Sequence, residues 1–258
     1  MLLAVDIGNT QTVVGLLEVE TIVRQWRLTS QAGRTADEIA LQLRGLLDDA
    51  ALDRAAIRRM AIASVVPNLT PEYRRFGAET LGVPTLVIDG HTDTGVKVDV
   101  PDPGSVGPDR IVNVVAALAR HGAPAIVIDM GTATTFDALD ARGTYVGGAI
   151  APGIGISAEA LFSRGARLAR IEIRPPARVI GKTTEEHLQA GIFFGAVGQI
   201  DEIVRRMATE LGGKPRVVAT GGLSGTVAGY SATIEAVDPD LTLHGIRLVE
   251  ERHHGPIG

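Results

Sequence analysis

The chain has no cysteine, few aromatic residues and no strong net charge, and each of these narrows its possible chemistry. Without cysteine, disulfides and thiolate catalysis are excluded, and any metal site must use oxygen or imidazole ligands. Aromatic residues make up only 3% of the 258 residues, so a stacking platform for single-stranded nucleic acid is not expected. A formal net charge of −5 at pH 7 also argues against nucleic acid or an anionic membrane surface as partner.

Long apolar runs are missing as well. No apolar stretch approaches the roughly 20 residues needed to span a bilayer. The opening sequence MLLAVDIGNT places Asp6 too early for the apolar core of a signal peptide. We therefore expect a cytoplasmic protein with no membrane partner. What the chain does have is 31 glycines, which suit a globular α/β fold with many tight turns.

An internal repeat is the most informative feature of the sequence. Residues 3–17 read LAVDIGNTQTVVGLL and residues 126–140 read IVIDMGTATTFDALD, at a constant offset of 123 residues. Each copy predicts a strand, an Asp-x-Gly turn and a second strand, followed by a polar turn and a third strand. The paired positions are Asp6 and Asp129, Gly8 and Gly131, Thr12 and Thr135, and Leu16 and Leu139.

Helices and strands alternate after each three-stranded meander. Capping boxes at Thr35/Glu38 and Thr183/Glu186 predict two helix starts, and residues 216–220 predict a strand that ends at a Gly-Gly turn. The repetition predicts two similar α/β domains with mixed sheets, residues 1–118 and 119–258, packed around a shared cleft. The alternative is a single doubly wound domain with two similar turns.

The two Asp-x-Gly turns are candidate phosphate sites. Phosphate binding needs closely spaced backbone N–H groups, small side chains and a carboxylate for the counter-ion. In the first turn Asp6 is a candidate Mg²⁺ ligand, acting through water because Mg²⁺ gives up its hydration reluctantly. In the second turn Asp129 stands where a cation ligand is expected, and Thr132 is a candidate contact to a terminal phosphate. For either copy alone, an ordinary Asx hairpin turn is the alternative.

These turns, with the late Gly-Gly turn at residues 220–224, resemble the phosphate 1, phosphate 2 and adenosine motifs of the actin, Hsp70 and sugar kinase superfamily. Within it, VDIGNT, VGPDRIVN, IDMGTATTFD, GGAIAPGI, IGKTT and TGGLS are similar to segments of type III pantothenate kinase, in the same order across nearly the whole chain. The Gly-x-Asp-Arg segment is the most discriminating. The resemblance implies two duplicated ribonuclease H-like (actin-like ATPase) domains with mixed five-stranded sheets.

The resemblance also implies a function. That family uses ATP to phosphorylate pantothenate, the first step of coenzyme A biosynthesis, with Mg²⁺ and a monovalent cation, K⁺ or NH₄⁺, and it forms homodimers. Asp129 would bind the monovalent cation, Thr132 would contact ATP, and Thr184 would contact pantothenate. Gly107, Pro108, Asp109 and Arg110 would contact pantothenate, with Asp109 taking the proton of its primary hydroxyl. The ATP phosphate loop would be formed by Asp6, Ile7, Gly8, Asn9, Thr10, Gln11, Thr12 and Val13.

The chemistry of Asp109 agrees with that role. Phosphoryl transfer passes through a loose transition state, so a carboxylate of ordinary pKa is adequate as the base. Arg110 would hold Asp109 ionised and could pair with an anionic group. The alternative is that Asp109 is the N-cap of the next helix.

One departure from the family bears on the acceptor. Val100 stands where the family usually has a tyrosine lining the substrate pocket, so the pocket would be wider or less able to hydrogen-bond its substrate. Two other functions stay open: a non-catalytic regulator of the Bvg accessory factor type, and a kinase of another small hydroxyl substrate. The histidines at 91, 121, 187 and 244 are isolated in sequence and are expected at the surface or in turns.

Overall fold

The computed structural model describes residues 1–164 and 170–256, which divide into two compact units. The first unit combines Met1–Val96 and Val100–Ala116 with the C-terminal segment from Asp240. The second combines Lys97–Asp99 with Ala117–Pro239. Among the described residues no helix is both long enough and apolar enough to cross a membrane.

Each unit is built on a five-stranded mixed sheet. The first sheet contains β1 (Leu2–Ile7), β2 (Gln11–Glu18), β3 (Thr21–Thr29), β4 (Arg59–Ser64) and β5 (Thr85–Ile88). The second contains β6 (Ala125–Met130), β7 (Ala133–Leu139), β8 (Tyr145–Pro152), β9 (Arg216–Thr220) and β10 (Ala236–Val237). The order is β3-β2-β1-β4-β5 in one and β8-β7-β6-β9-β10 in the other, with an antiparallel meander and two parallel strands in each. The predicted pair of mixed five-stranded sheets is confirmed.

Helices connect and cover these strands. They are α1 (Ala36–Asp49), α2 (Thr70–Arg75), α3 (Pro108–His121), α4 (Ile154–Arg164), α5 (Thr184–Leu211), α6 (Ser224–Ala228) and α7 (Leu241–His254). A π-helical turn, Phe76–Leu81, continues α2. The predicted start of α1 is confirmed, because Thr35 and Glu38 form both hydrogen bonds of a capping box. The start of α5 is confirmed as well, since the Thr183 hydroxyl accepts the Glu186 N–H at 3.2 Å.

The strand pairing corrects one detail of the repeat. Ile7 pairs with Thr12 across the first turn, whereas Met130 pairs with Thr134 across the second. The second turn is therefore one residue shorter, and the structural counterpart of Thr12 is Thr134, not Thr135. The offset of 123 residues does not hold beyond the turn. It still matched threonine with threonine, because Thr134 and Thr135 are adjacent.

The sheet of the first unit is buried on both faces. Leu3, Val5 and Ile7 belong to a core cluster with the apolar faces of α1 and α2. Their neighbours Leu2 and Ala4 are fully buried too, and they face the opposite side because successive strand residues alternate.

The C-terminal helix α7 belongs to this first unit because glycine lets it approach closely. A Cβ on Gly15 of β2 would lie 2.6 Å from Leu243 Cδ1, and a Cβ on Gly245 would collide with the backbone of Val112 in α3. This packing buries His244, so the expectation that it lies at the surface or in a turn is wrong.

The core of the second unit lies between its sheet and α5. Phe193, Val197 and Ile200 of this helix pack with Ile126 and Ile128 of β6 in one cluster. The helix thereby covers one face of the strand that ends at the second Asp-x-Gly turn.

Candidate active site

The first Asp-x-Gly turn joins β1 to β2. Gly8 N donates a hydrogen bond to Gln11 O at 3.0 Å, and a Cβ on Gly8 would lie only 2.9 Å from that oxygen. Glycine thus allows the backbone to close tightly here. Asn9 and Thr10 are exposed at the tip. The turn offers a small, polar surface of the kind that phosphate groups can approach.

Asp109 lies in the first turn of α3. Pro108 is the first helical residue, a position that suits proline because the N–H it lacks would have no partner there. The Gly107 carbonyl accepts the N–H groups of Arg110 and Ile111, both at 3.1 Å. Gly107 therefore precedes the helix as its N-cap, and the N-cap interpretation of Asp109 is wrong.

Gly107 lies close to the Asp109 carboxylate and to the segment that follows β4. A Cβ on Gly107 would lie 2.5 Å from Asp109 Oδ1 and 3.7 Å from Val65 Cγ1. Val65 comes directly after β4 and donates its N–H to Ile7 O at 3.0 Å. Gly107 therefore lies beside the segment that follows β4, and the first residue of that segment is hydrogen-bonded to the end of β1.

Burial is the largest influence on the pKa of Asp109. Desolvation raises the pKa of this carboxyl above its ordinary value. The Arg110 N–H, which donates to Asp109 Oδ1 at 2.9 Å, and the Arg110 charge act in the opposite direction. Burial thus affects the pKa of this carboxyl more strongly than the neighbouring Arg110 guanidinium does. A carboxylate of raised pKa is a stronger base, which suits removal of a proton from an alcohol.

A cavity of about 1050 Å³ opens beside this loop in the first unit. Its walls come from the end of β4, from α2 and the π-helical turn, from the end of β5 and from the loop before α3. Gly107 and Pro108 line it from the loop, and Arg74 and Arg75 line it from α2. Two of the four residues that were predicted to contact substrate, Gly107 and Pro108, thus border a space large enough for a small molecule.

The second Asp-x-Gly turn joins β6 to β7 and lies beside the Gly-Gly turn at the end of β9. Gly131 N donates to Ala133 O at 3.0 Å. A Cβ on Gly221 would lie 2.6 Å from Asp129 Oδ1, and Gly221 has a φ of 89°, in the left-handed region that favours glycine. Thr132 is exposed at the tip of the turn. The second unit therefore gathers a carboxylate and two glycine turns at one end of its sheet.

Comparison with known proteins identifies the family to which these motifs belong. The family model for type III pantothenate kinase matches residues 2–206. A type III pantothenate kinase from Moorella thermoacetica is 48% identical over 253 residues, covering 98% of this chain and 100% of that protein. The chain belongs to the type III pantothenate kinase family.

Solved structures match the fold of this pantothenate kinase family member at low sequence identity. A Campylobacter jejuni protein assigned to the Baf family of transcriptional activators has a TM-score of 0.60 at 16% identity, covering 98% of both chains. The activator of the 2-hydroxyisocaproyl-CoA dehydratase from Clostridium difficile, with bound ADPNP, has a TM-score of 0.52 at 13% identity and covers 99% of this chain and 98% of that one. The predicted actin-like ATPase fold with duplicated domains is confirmed.

The loop that would bind ATP in a pantothenate kinase contains two kinds of residue. Residues 9–11 are exposed, whereas Ile7 and Thr12 are no more than 1% exposed. The Thr12 hydroxyl is shared in a hydrogen bond of 2.8 Å with the Ser30 hydroxyl. Ile7 and Thr12 are therefore buried residues that support the turn, and residues 9–11 form its accessible part.

The cations implied by the family suit the oxygen donors of this chain. Asp6 and Asp129 are half-buried, and each lies at the end of a strand beside a glycine turn. Across residues 1–164 and 170–256, no group of three or more histidine, aspartate or glutamate side chains is gathered for a metal. A single carboxylate such as Asp6 fits Mg²⁺, which keeps several waters and usually takes one or two carboxylates together with substrate phosphates.

Two further positions, Val100 and Thr184, are linked to the acceptor only by the resemblance to the family. Val100 is half-buried, just after Asp99, whose N–H donates to Tyr145 O of β8 at 2.8 Å. Thr184 is the exposed first residue of α5. Their roles toward pantothenate stay predictions.

Sequence reasoning missed the part of the cavity wall formed by α2. Arg74 and Arg75 carry no local signal in the sequence that they line a cavity. Val65 was missed for the same reason, because its place beside Gly107 depends on how distant segments pack.

Proposed function

We propose that this chain transfers the γ-phosphoryl group of ATP to the primary hydroxyl of pantothenate, giving 4′-phosphopantothenate and ADP, the first step of coenzyme A biosynthesis. The observation that carries the proposal is the placement of Asp109. Its half-buried carboxyl has a raised pKa and is held against Gly107, which lines the cavity. Membership of the family supplies the substrate class.

In this reaction Asp109 acts as the general base. It accepts the hydroxyl proton while the hydroxyl oxygen bonds to the γ-phosphorus and the bond from that phosphorus to the β,γ-bridging oxygen breaks. Because the transition state is loose, the proton moves late, and orientation of the hydroxyl is the larger contribution of Asp109. The hydrogen bond from Arg110 N at 2.9 Å fixes the carboxylate for that task.

The remaining roles belong to the two turns and the acceptor segments. Residues 6–13 would hold the phosphates of ATP from the first unit and Thr132 would contact ATP from the second, with Thr184 and the Gly107–Arg110 segment contacting pantothenate. Asp6 would hold Mg²⁺ through water, and Asp129 would hold K⁺ or NH₄⁺. When bound, these cations neutralise charge on the phosphates during transfer. The proposed location is the cytoplasm, where ATP is supplied.

ADP release in the presence of pantothenate tests the proposal. We expect turnover that requires both Mg²⁺ and pantothenate and that is faster in K⁺ than in Na⁺ buffer. Absence of turnover in both buffers, with pantothenate still bound, would point instead to a non-catalytic regulator. Turnover only with other acceptors in a panel of polyols and sugars would point to a different kinase.

The role of Asp109 is tested by Asp109→Asn. Loss of a general base typically costs 10²–10⁴-fold, so we expect kcat to fall by about that factor while ATP binding is retained. Asp102→Asn is the matched control, since this exposed aspartate lies in the same loop and caps no backbone group with its side chain. Equal activity of the two variants would remove the role assigned to Asp109.

The homodimer is the last part of the proposal, and the surface of the second unit supports it. Along the edge strand β8 the exposed residues include Val146 and Ile150, and Ile156 and Leu161 are exposed on the adjoining α4. An apolar face of this kind on an edge strand favours pairing with a second copy. Ile150→Lys is expected to shift the mass in light scattering from dimer to monomer. Leu41→Lys, which changes an exposed leucine of α1, is expected to leave the mass unchanged.

A further inference from the structure

Helix α3, which carries Asp109 in its first turn, packs directly against the C-terminal helix α7. Gly245 of α7 allows this close approach, since a Cβ at that position would collide with the Val112 carbonyl of α3. Val112 is fully buried and lies three residues after Asp109. The two helices are therefore in contact within one turn of the proposed base.

A side-chain hydrogen bond joins the same two helices. Asn113 of α3 is fully buried, and its Oδ1 accepts a hydrogen bond of 2.7 Å from Thr242 Oγ1 of α7. An apolar residue would serve packing alone, whereas a buried amide costs free energy unless it is hydrogen-bonded. Because a hydrogen bond weakens steeply away from its preferred distance and angle, this pair favours one arrangement of α3 against α7.

The geometry of α3 links Asn113 to Asp109. The two residues belong to one continuous helix and lie four positions apart, so they are on the same helix face. At a rise of about 1.5 Å per residue, they are separated by about 6 Å along the axis, which is roughly one turn. Sliding or rotation of α3 at Asn113 therefore moves the Asp109 carboxylate as well.

We propose that Asn113 is a positioning residue for phosphoryl transfer: held by Thr242, it fixes α3 so that the Asp109 carboxylate stays directed at the acceptor hydroxyl. The inference rests on the proposed function, in which orientation of the hydroxyl is the larger contribution of Asp109. Asn113 acts through the helix that carries the base. Loss of its hydrogen bond should therefore lower kcat and leave KM for ATP unchanged, because ATP is assigned to the two Asp-x-Gly turns.

The test is Thr242→Val, which removes the hydroxyl donor and keeps the shape of the side chain. A displacement of about 1 Å in a catalytic group can cost about 10²-fold, and a smaller shift is expected here, so kcat should fall roughly 10-fold. Thr242→Ser keeps the donor and should have the kcat of wild type.

The dependence of kcat/KM on pH provides a second measurement. Its acid limb reports the pKa of the base in the free enzyme. A displaced Asp109 carboxylate loses burial, so its raised pKa should fall and the acid limb of Thr242→Val should move to lower pH. Arg110, whose charge also acts on this carboxyl, belongs to the same helix turn and moves with it.

Thr233→Val is the matched control. Thr233 lies in the second unit, and its Oγ1 donates to Asp201 Oδ1 at 2.8 Å, so this variant also loses a threonine hydroxyl from a partly buried hydrogen bond. It should lower Tm at least as much as Thr242→Val and leave kcat and the pH profile unchanged. Adding Thr242→Val to Asp109→Asn should reduce kcat little further, because both changes act on the same base.

The outcomes separate the two claims. Failure of wild type to phosphorylate pantothenate refutes the proposed function and this inference with it. Turnover by wild type combined with an unchanged kcat and pH profile in Thr242→Val refutes the inference alone, since the hydrogen bond would then serve stability only. A kcat in Thr242→Ser as low as that in Thr242→Val, or an equal loss in Thr233→Val, also overturns it, because the hydroxyl of Thr242 would not be the cause.

Discussion

The substitution Gly107→Ala is expected to inactivate the enzyme by displacing Asp109 and not by unfolding the chain. The added Cβ would lie 2.5 Å from Asp109 Oδ1, whereas ordinary contacts of a Cβ begin at 3.4 Å. The carboxylate must therefore move by about 0.9 Å, the difference between these distances. A misplacement of about 1 Å in a catalytic group can cost 10²-fold, so we expect kcat/KM for pantothenate to fall roughly 100-fold.

The fold should tolerate this change. The other close neighbour, Val65 Cγ1, would be 3.7 Å from the new Cβ, which is an ordinary contact, and Gly107 does not have the positive φ that would strain an alanine. The carboxylate is the end of a side chain and yields by rotation, so we expect the melting temperature to change little. Gly33→Ala is the control, since its Cβ would have no atom within 4 Å, and wild-type kinetics are expected.

A double mutant separates this mechanism from a direct contact between Gly107 and substrate. If Gly107→Ala acts by moving Asp109, adding it to Asp109→Asn should reduce kcat/KM little further. Full additivity of the two losses would refute the reasoning, because it would mean that Gly107 contributes independently of the base. Wild-type kcat/KM in Gly107→Ala alone would refute it as well.

Three further predictions concern proton affinity and stability. Because burial raises the pKa of Asp109, the folded chain binds this proton more tightly than the unfolded chain, and ionised Asp109 destabilises the fold. Asp109→Asn should therefore raise Tm at neutral pH, an advantage that disappears as pH falls below the unfolded pKa of about 3.9 in thermal melts. Gly45→Ala, at an exposed position of α1 with no atom within 4 Å of the new Cβ, should stabilise the chain by about 0.8–1 kcal/mol in denaturant titrations. Tyr145→Phe removes the buried 3.0 Å hydrogen bond to Asp137 Oδ1 and should lower the free energy of unfolding by about 1–3 kcal/mol in the same titrations.

The parts of the fold that the sequence predicted well are those encoded locally. Apolar alternation and the Asp-x-Gly turns predicted both meanders, and threonine–glutamate pairs predicted the starts of α1 and α5. The register beyond the second turn was wrong because Thr134 and Thr135 are chemically identical, so a shift of one residue left the apparent match intact.

Features that depend on contacts between residues far apart in the sequence could not be predicted from local patterns. The last helix, α7, comes after the second half in sequence yet belongs to the first unit, where Gly15 and Gly245 admit it. The raised pKa of Asp109 was missed because the sequence shows the adjacent Arg110 but not the burial that outweighs it. The domain boundary at residue 118 and the roles of the individual site residues stay predictions.

The duplicated turns have different neighbours in the two units. In each unit the Asp-x-Gly turn lies next to the end of the parallel strand beside it, since Asp6 pairs with Ala63 and Asp129 pairs with Thr220. The two units differ in the segment that leaves this neighbouring strand. After β4 the chain enters the segment that borders Gly107, the cavity and a base of raised pKa. After β9 it forms a glycine turn with a positive φ, packed against the Asp129 carboxylate. The two copies of the turn are therefore alike in sequence, and the structural difference between them lies in the strand ends that adjoin them.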